Sequence, residues 1–214
     1  MAKLYFRYGA MNSGKSTVLM QVAHNYDEND KKVILIKSAT DTKADNKVSS
    51  RIGLERKVDY LIKKEDHILD IIDTVNIDCI LVDEAQFLTK DQITELFVIT
   101  KIKEIPVICY GLKTDYRSEL FEGSKRLLEL ADEIEELKTI CSCGKAARFN
   151  ARYGKETNEF VSEGEQIVID GDDRYGYKPL CGKCYLEKVG LSIYDEEVKG
   201  NFGRVLIKNK AKNV

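Results

Sequence analysis

The sequence predicts an α/β fold, a parallel sheet flanked by helices, followed by a small second domain of different character. Three observations point to it. Several runs are apolar almost throughout and alternate with stretches of helical periodicity, as strands buried on both faces of a parallel sheet require. Between a β-prone run and a helix-periodic one stands Gly9-Ala10-Met11-Asn12-Ser13-Gly14-Lys15-Ser16, which fits G-x-x-x-x-G-K-[ST], the pattern of a phosphate-binding loop. The alternation then stops near residue 140, and the segment beyond it is bracketed by two close cysteine pairs.

Leu4-Tyr5-Phe6-Arg7-Tyr8 predicts the first strand, and Val18, Leu19, Val22, Ala23 and Tyr26 predict the helix that opens at the loop. The chemistry needs this order. Glycines let backbone N–H groups turn inward around phosphate oxygens, and the helix N-terminus adds partial positive charge where the anion sits. Lys15 is positioned in sequence to reach the β- and γ-phosphates of ATP, and the Ser16 hydroxyl to ligate Mg²⁺. Lys32-Val33-Ile34-Leu35-Ile36 predicts a buried second strand, so strand, loop, helix and strand form a right-handed βαβ crossover. The segment 38–51 is polar and aperiodic: either a solvated connection or a lid facing the phosphates. A short strand is predicted over 58–62. Ile68, Leu69, Ile71, Ile72 and Val75 predict an amphipathic helix with Asp66 as its cap.

Cys79-Ile80-Leu81-Val82 predicts another buried strand, and it ends in Asp83-Glu84. An acid at the end of an apolar strand, paired with a phosphate loop, is the second nucleotide-binding signature, delivering Asp83 to the Mg²⁺. A helix over 90–101 and a strand over 106–110 follow. Cys79 and Cys109 lie in apolar strands and are expected to be buried structural thiols. The loop 112–121 leaves the carboxyl end of a strand, where ligands bind in open parallel sheets. A helix containing Leu127, Leu128, Leu130 and Ala131 and a last strand over 134–140 complete this domain.

Beyond it, short strands are expected over 149–153 and 166–169. Cys141 and Cys143 precede them, and Cys181 and Cys184 close the segment. Two close pairs a few tens of residues apart have the spacing of a four-thiolate Zn²⁺ site, although one residue between the first two is tighter than usual. A segment this small buries too little apolar surface to hold itself, and Zn–S bonds would tie its ends. The expected division is 1–139, a P-loop ATP-binding domain; 140–192, the zinc-stabilised domain; and 193–214, a polar tail. His24 and His67, placed in predicted helices without acidic or cysteine partners, are assigned no chemical role.

The 214-residue chain carries 34 basic and 36 acidic residues, a net charge of −2. That balance argues against gripping nucleic acid through a basic surface. With no long apolar run and no signal-peptide pattern, the expected setting is the cytoplasm, away from membranes, where six cysteines stay reduced.

Together these residues resemble the thymidine kinase family of the cytosolic type, across nearly the whole chain. The resemblance rests on Gly9 to Ser16, Asp83-Glu84-Ala85-Gln86-Phe87, Gly171-Asp172-Asp173-Arg174-Tyr175 and the four cysteines in order. It implies a P-loop domain followed by a zinc-held lasso that closes over the nucleoside, and transfer of the γ-phosphate of ATP to the 5′-hydroxyl of thymidine. Glu84 would be the catalytic base. Phe87, Leu112, Tyr116 and Phe121 would line the base pocket, Tyr175 would meet the nucleoside from the lasso, and Asn150 would lie near the thymine ring. Asp41 and Arg51 would sit by the metal or phosphates. The resemblance also implies a homotetramer inhibited by deoxythymidine triphosphate. Ala85 stands where glycine is common, Lys43 where arginine is frequent, and Gly176-Tyr177 looks like an insertion.

A rival reading from another class is a zinc-ribbon P-loop ATPase acting on nucleic acid. A glutamate after the metal aspartate also activates water in many ATPases, so the loop and the acid turn alone do not separate kinase from hydrolase. Against the rival stand the acidic balance and the lack of a basic stripe. A regulatory GTP switch would carry an Asn-Lys-x-Asp element, which the chain lacks. A zinc-held interaction module with a vestigial nucleotide site is the remaining alternative.

Overall fold

The computed structural model describes residues 1–40, 46–50, 53–162, 164, 166 and 174–189. Its centre is a six-stranded sheet. In chain order the strands are β1 (Leu4–Tyr8), β2 (Val33–Ser38), the outlying hairpin β3 (Lys47–Ser49) and β4 (Glu55–Lys57), β5 (Tyr60–Ile62), β6 (Cys79–Asp83), β7 (Val107–Gly111) and β8 (Glu133–Glu136). The sheet runs β5-β2-β6-β7-β1-β8 with every pair parallel. The helices are α1 (Lys15–Asp27), α2 (Ile68–Ile71), α3 (Lys90–Ile102) and α4 (Glu122–Leu130).

The apolar runs are continuous because successive side chains serve different cores. Ile34, Ile36, Ile80, Val82, Val107 and Cys109 point into the larger one, which α3 and α4 cover with Ile93, Leu96, Ile99 and Leu127. Val33, Leu35, Cys79, Leu81, Ile108 and Tyr110 point the other way, onto Leu19, Met20 and Ala23 of α1. Both strand cysteines are buried as expected. Burial pushes Cys79 up to about 12 and raises Cys109 as well, so neither supplies a thiolate.

β1 and β2 are parallel strands of one sheet joined by the expected crossover through α1, with β6 and β7 lying between them. Four local expectations need correction. The helix expected from Ile68 to Val75 is one turn. Asp66 folds back to accept from the Lys63 amide, the Ile68 amide is taken by Glu95, and an Asp73 turn that accepts from the Val75 amide ends the apolar run. The run 134–140 divides: β8 stops at Glu136, and β9 (Thr139–Ile140) pairs with β10 (Ala146–Ala147). Part of the polar 38–51 segment forms the β3–β4 hairpin, whose Val48 is buried. His67 also has an acidic partner, 2.9 Å from Glu95, and His24 lies 3.3 Å from Glu28.

In the small domain, β11 (Phe149–Gly154) pairs with β12 (Phe160–Val161) and with β13 (Tyr175–Leu180), and α5 (Gly182–Lys188) follows. Gly176 and Tyr177 lie within β13, paired residue for residue with Tyr153 and Arg152. A Cβ on Gly176 would come within 2.6 Å of the Tyr153 ring, so the strand needs a glycine where that ring covers it. Among the described residues the core here is six buried residues, two of them cysteines.

Candidate active site

All six strands of the main sheet point the same way, so the turns that follow β1, β6 and β7 emerge along one edge. The loop after β1 is tightly folded. Gly14, the residue before α1, has φ 79°, and Asn12 has φ 66°. Gly9 could not carry a side chain, because a Cβ would fall on Ser13 and the carbonyl of Leu137. Lys15 is nearly buried, and its ammonium donates to the carbonyls of Gly9 and Ala10 at 3.2 and 3.1 Å. The buried Ser13 hydroxyl has no hydrogen-bond partner among the described residues. An unpaired buried hydroxyl is costly in the protein alone. Together with the cation and the helix N-terminus, it suits an anionic ligand such as a phosphate chain.

Two strands away, β6 ends in Asp83, which is buried. Glu84 follows in the left-handed region, at φ 49°, and opens a 3₁₀ turn over Ala85–Phe87. A non-glycine residue there carries strain of about 1–3 kcal/mol and persists because its surroundings hold it. Here the holder is Gln86, whose amide nitrogen donates to Glu84 Oε2 at 2.5 Å while its oxygen accepts from the Leu112 amide at 2.9 Å. The strand between, β7, ends in Gly111, whose carbonyl accepts from the Gly9 amide at 3.3 Å. Lys37, buried on β2, is paired in register with Asp83.

The loop after β7 forms an aromatic wall. Phe87 and Phe121 meet edge to face at 5.7 Å, and Leu112, Tyr116 and Phe121 are buried. Asp115 braces the loop by accepting from the amides of Arg117 and Glu119. Burial raises the Tyr116 phenol above its usual range despite Arg152 and Arg117 nearby. The Arg152 guanidinium lies 3.7 Å from the Tyr116 ring centre and 4.9 Å from that of Tyr175, joining the two expected nucleoside-side rings from different domains. Asn150 accepts from the Met11 amide of the phosphate loop at 2.8 Å and donates to the Thr114 carbonyl at 3.2 Å.

The thiol sulfurs of Cys141, Cys143, Cys181 and Cys184 all lie within 4.8 Å of one another. Tetrahedral Zn–S bonds of about 2.3 Å imply sulfurs about 3.8 Å apart, so the set fits zinc. Burial raises the Cys141 thiol, but the amides of Cys143 and Cys181 and the neighbouring thiols outweigh it and bring it down to about 6. Hydrogen bonds with Cys143 and Cys181 push Cys184 up to about 12. Thiols this close cannot all release their protons unaided, and a dication is what lets all four become thiolates. One residue beyond Cys184, Tyr185 is buried and donates its hydroxyl to the Tyr116 carbonyl at 2.5 Å, tying the cluster to the aromatic loop.

The phosphate loop, Asp83, Glu84, Phe87, Leu112, Tyr116, Phe121, Asn150 and Tyr175 therefore fall on or near one edge of the sheet, and the four cysteines close together beside it. Asp41, Arg51, Lys43, residues 171–173, residues 167–169 of an expected strand and the tail 193–214 lie outside the described residues. Gln86, Arg152 and Tyr185 were not assigned from the sequence. Gln86 stood inside the quoted motif as an unassigned position, whereas Arg152 and Tyr185 had no signal beyond being polar-tipped residues in a strand and beside a cysteine.

A thymidine kinase family model matches residues 2–185. Thymidine kinases of Pasteurella multocida (strain Pm70) and Haemophilus influenzae (strain Rd) are each 46% identical over 195 residues, covering 89% of this chain and 100% and 99% of theirs. That of Enterococcus faecalis is 48% identical over 189 residues, covering 86% of this chain and 95% of its own. A Bacteroides Pif1 structure bound to ssDNA overlaps 63% of this chain and 38% of its own at 13% identity and a TM-score of 0.36, too slight a likeness to bear on fold or function. A family model spanning most of the chain, and relatives this similar almost end to end, place the protein in the thymidine kinase family.

Proposed function

We propose that this chain transfers the γ-phosphate of ATP to the 5′-hydroxyl of thymidine, giving thymidine monophosphate and ADP. The observation that supports it best is the meeting of three parts on one sheet edge: the phosphate loop, the acidic turn at Glu84 and an aromatic wall joined by the small domain. In this reading the loop amides and Lys15 hold the phosphates, and Ser16 and Asp83 are the residues that would hold Mg²⁺, which supplies charge neutralisation. Asp41 and Arg51 would add contacts on the phosphate side. Glu84 takes the proton of the 5′-hydroxyl as that oxygen bonds to the γ-phosphorus and the bond to ADP breaks. Phe87, Leu112, Tyr116, Phe121, Asn150 and Tyr175 orient the nucleoside, and Cys141, Cys143, Cys181 and Cys184 hold a structural Zn²⁺. Family resemblance adds a cytoplasmic homotetramer inhibited by deoxythymidine triphosphate. Among the described residues no helix is long and apolar enough to cross a membrane.

ADP release from ATP should require thymidine and should not respond to single-stranded DNA, because a site built around the 5′-hydroxyl excludes water as acceptor. Brisk hydrolysis without nucleoside, raised further by single-stranded DNA, would instead favour the zinc-ribbon ATPase. A second expected result separates the two substrates. Tyr175→Ala removes a ring that Arg152 and Arg174 contact in the small domain, distant in sequence from every phosphate motif. It should raise the KM for thymidine about tenfold or more, the worth of a stacking contact of roughly 1–3 kcal/mol, while the KM for ATP changes little. A loss falling mainly on ATP would move the acceptor site elsewhere.

A further inference from the structure

We propose that Gln86 is a positioning residue that aims the Glu84 carboxylate and couples it to the nucleoside side of the site. The proposal rests on the reading of Glu84 as base. Gln86 is 2% exposed, and both ends of its amide are engaged. Their direction is not a free choice. The Leu112 amide can only donate, so it must face the Gln86 oxygen, and the Gln86 nitrogen must then face Glu84. A flipped amide would set two donors against each other at Leu112 and two acceptors against each other at Glu84.

Neighbouring residues keep this geometry. A Cβ on Gly111 would come within 2.6 Å of Gln86 Oε1, so glycine there is what leaves room for the amide. Leu112 is held at its other backbone group as well, since Ser124 donates its hydroxyl to the Leu112 carbonyl at 2.5 Å. Ser124, Leu112, Gln86 and Glu84 thus form one hydrogen-bonded chain running from α4, through the aromatic wall, to the acidic turn. Two consequences follow. Glu84 Oε2 is committed as an acceptor, which leaves Oε1 for the proton of the acceptor hydroxyl. And a shift of Leu112 on nucleoside binding would be transmitted to the carboxylate through a side chain with no slack, because Gln86 is bonded at both ends.

The test is steady-state kinetics on Gln86→Met, alone and combined with Glu84→Gln. Gln86→Met keeps a neutral side chain of similar length but removes the donor to Glu84, whereas a glutamate at this distance would share a proton with Glu84 and still donate. It should lower kcat about 10–100-fold, below the full worth of a general base, with the KM for ATP within about twofold of wild type. In the Glu84→Gln background the same change should cost less than about twofold, because residues that act as one unit are not additive. If Gln86→Met does not fold, Gln86→Leu, which also lacks the donor, carries the same two expectations. Wild-type kcat in a folded Gln86 variant, or an equal loss in both backgrounds, would overturn the proposal while leaving Glu84 as base. Near-normal turnover of Glu84→Gln by itself would remove the base and this proposal together.

Discussion

Glu84→Gln is expected to lower turnover by roughly 10²–10⁴-fold, the usual worth of a positioned general base, while thymidine and ATP still bind. The substitution keeps the side-chain volume and can still accept from Gln86 through its amide oxygen. What it loses is a carboxylate able to take the hydroxyl proton. Glu84 is half-buried at the end of β6, in a left-handed conformation that the 3₁₀ turn and Gln86 maintain. Asp83, one residue earlier and buried, is the acid that would hold Mg²⁺ in the proposed mechanism. The measurement is kcat by ADP release beside thymidine and ATP binding by calorimetry. Near-normal turnover would place the base elsewhere, and lost thymidine binding with normal kcat would make Glu84 a binding residue.

Replacing Cys181 and Cys184 together by serine should remove about one Zn²⁺ per chain and most thymidine kinase activity. Structural zinc contributes on the order of 10 kcal/mol to small domains that cannot fold without it. The buried core of this domain includes Cys141 and Cys181 themselves, so little remains to hold it when the metal leaves. Release of α5 would also free Tyr185, which stacks on Phe149 at 4.9 Å and anchors the Tyr116 loop through its hydroxyl. The damage should therefore reach the nucleoside side first. ATP binding should survive better, because the phosphate loop belongs to the sheet. Elemental analysis and paired KM measurements decide it. Zinc-free wild-type protein with full activity would show that the cysteines do not need a metal.

The features legible in the sequence were those written in contiguous residues. Gly9 to Ser16 carries its strand–loop–helix setting on either side. The apolar runs of β2, β6 and β7 announce burial on both faces, and Asp83-Glu84 is visible as acids ending such a run. Misreadings came where a local pattern met a tertiary competitor. The Ile68 to Val75 periodicity did not become a long helix: the chain turns extended at Ile72, ψ 114°, and the Asp73 side chain takes the Val75 amide that would have continued it. The run 134–140 was apolar enough for one strand, but its second half pairs with β10 instead of continuing along β1. The strands β3 and β4 are polar apart from Val48 and showed no periodicity to read.

By itself, then, the sequence determined the chemistry on offer: a phosphate-loop motif, an acid ending a buried strand, a neighbouring carboxylate and two thiol pairs, each a short run whose residue types and spacing are the signal. The tertiary structure decided how those parts face one another. It inserted β6 and β7 between β1 and β2, and so set Gly111 between the phosphate loop and the acidic turn. It joined Gln86 to Leu112 across 26 positions and Asn150 to Met11 across 139, and it laid Arg152 against rings from both domains. Periodicity and local propensity describe neighbours within a few residues. Contacts across such separations depend on strand order and on which side chains fill the space between elements, and these are resolved only when the whole chain packs.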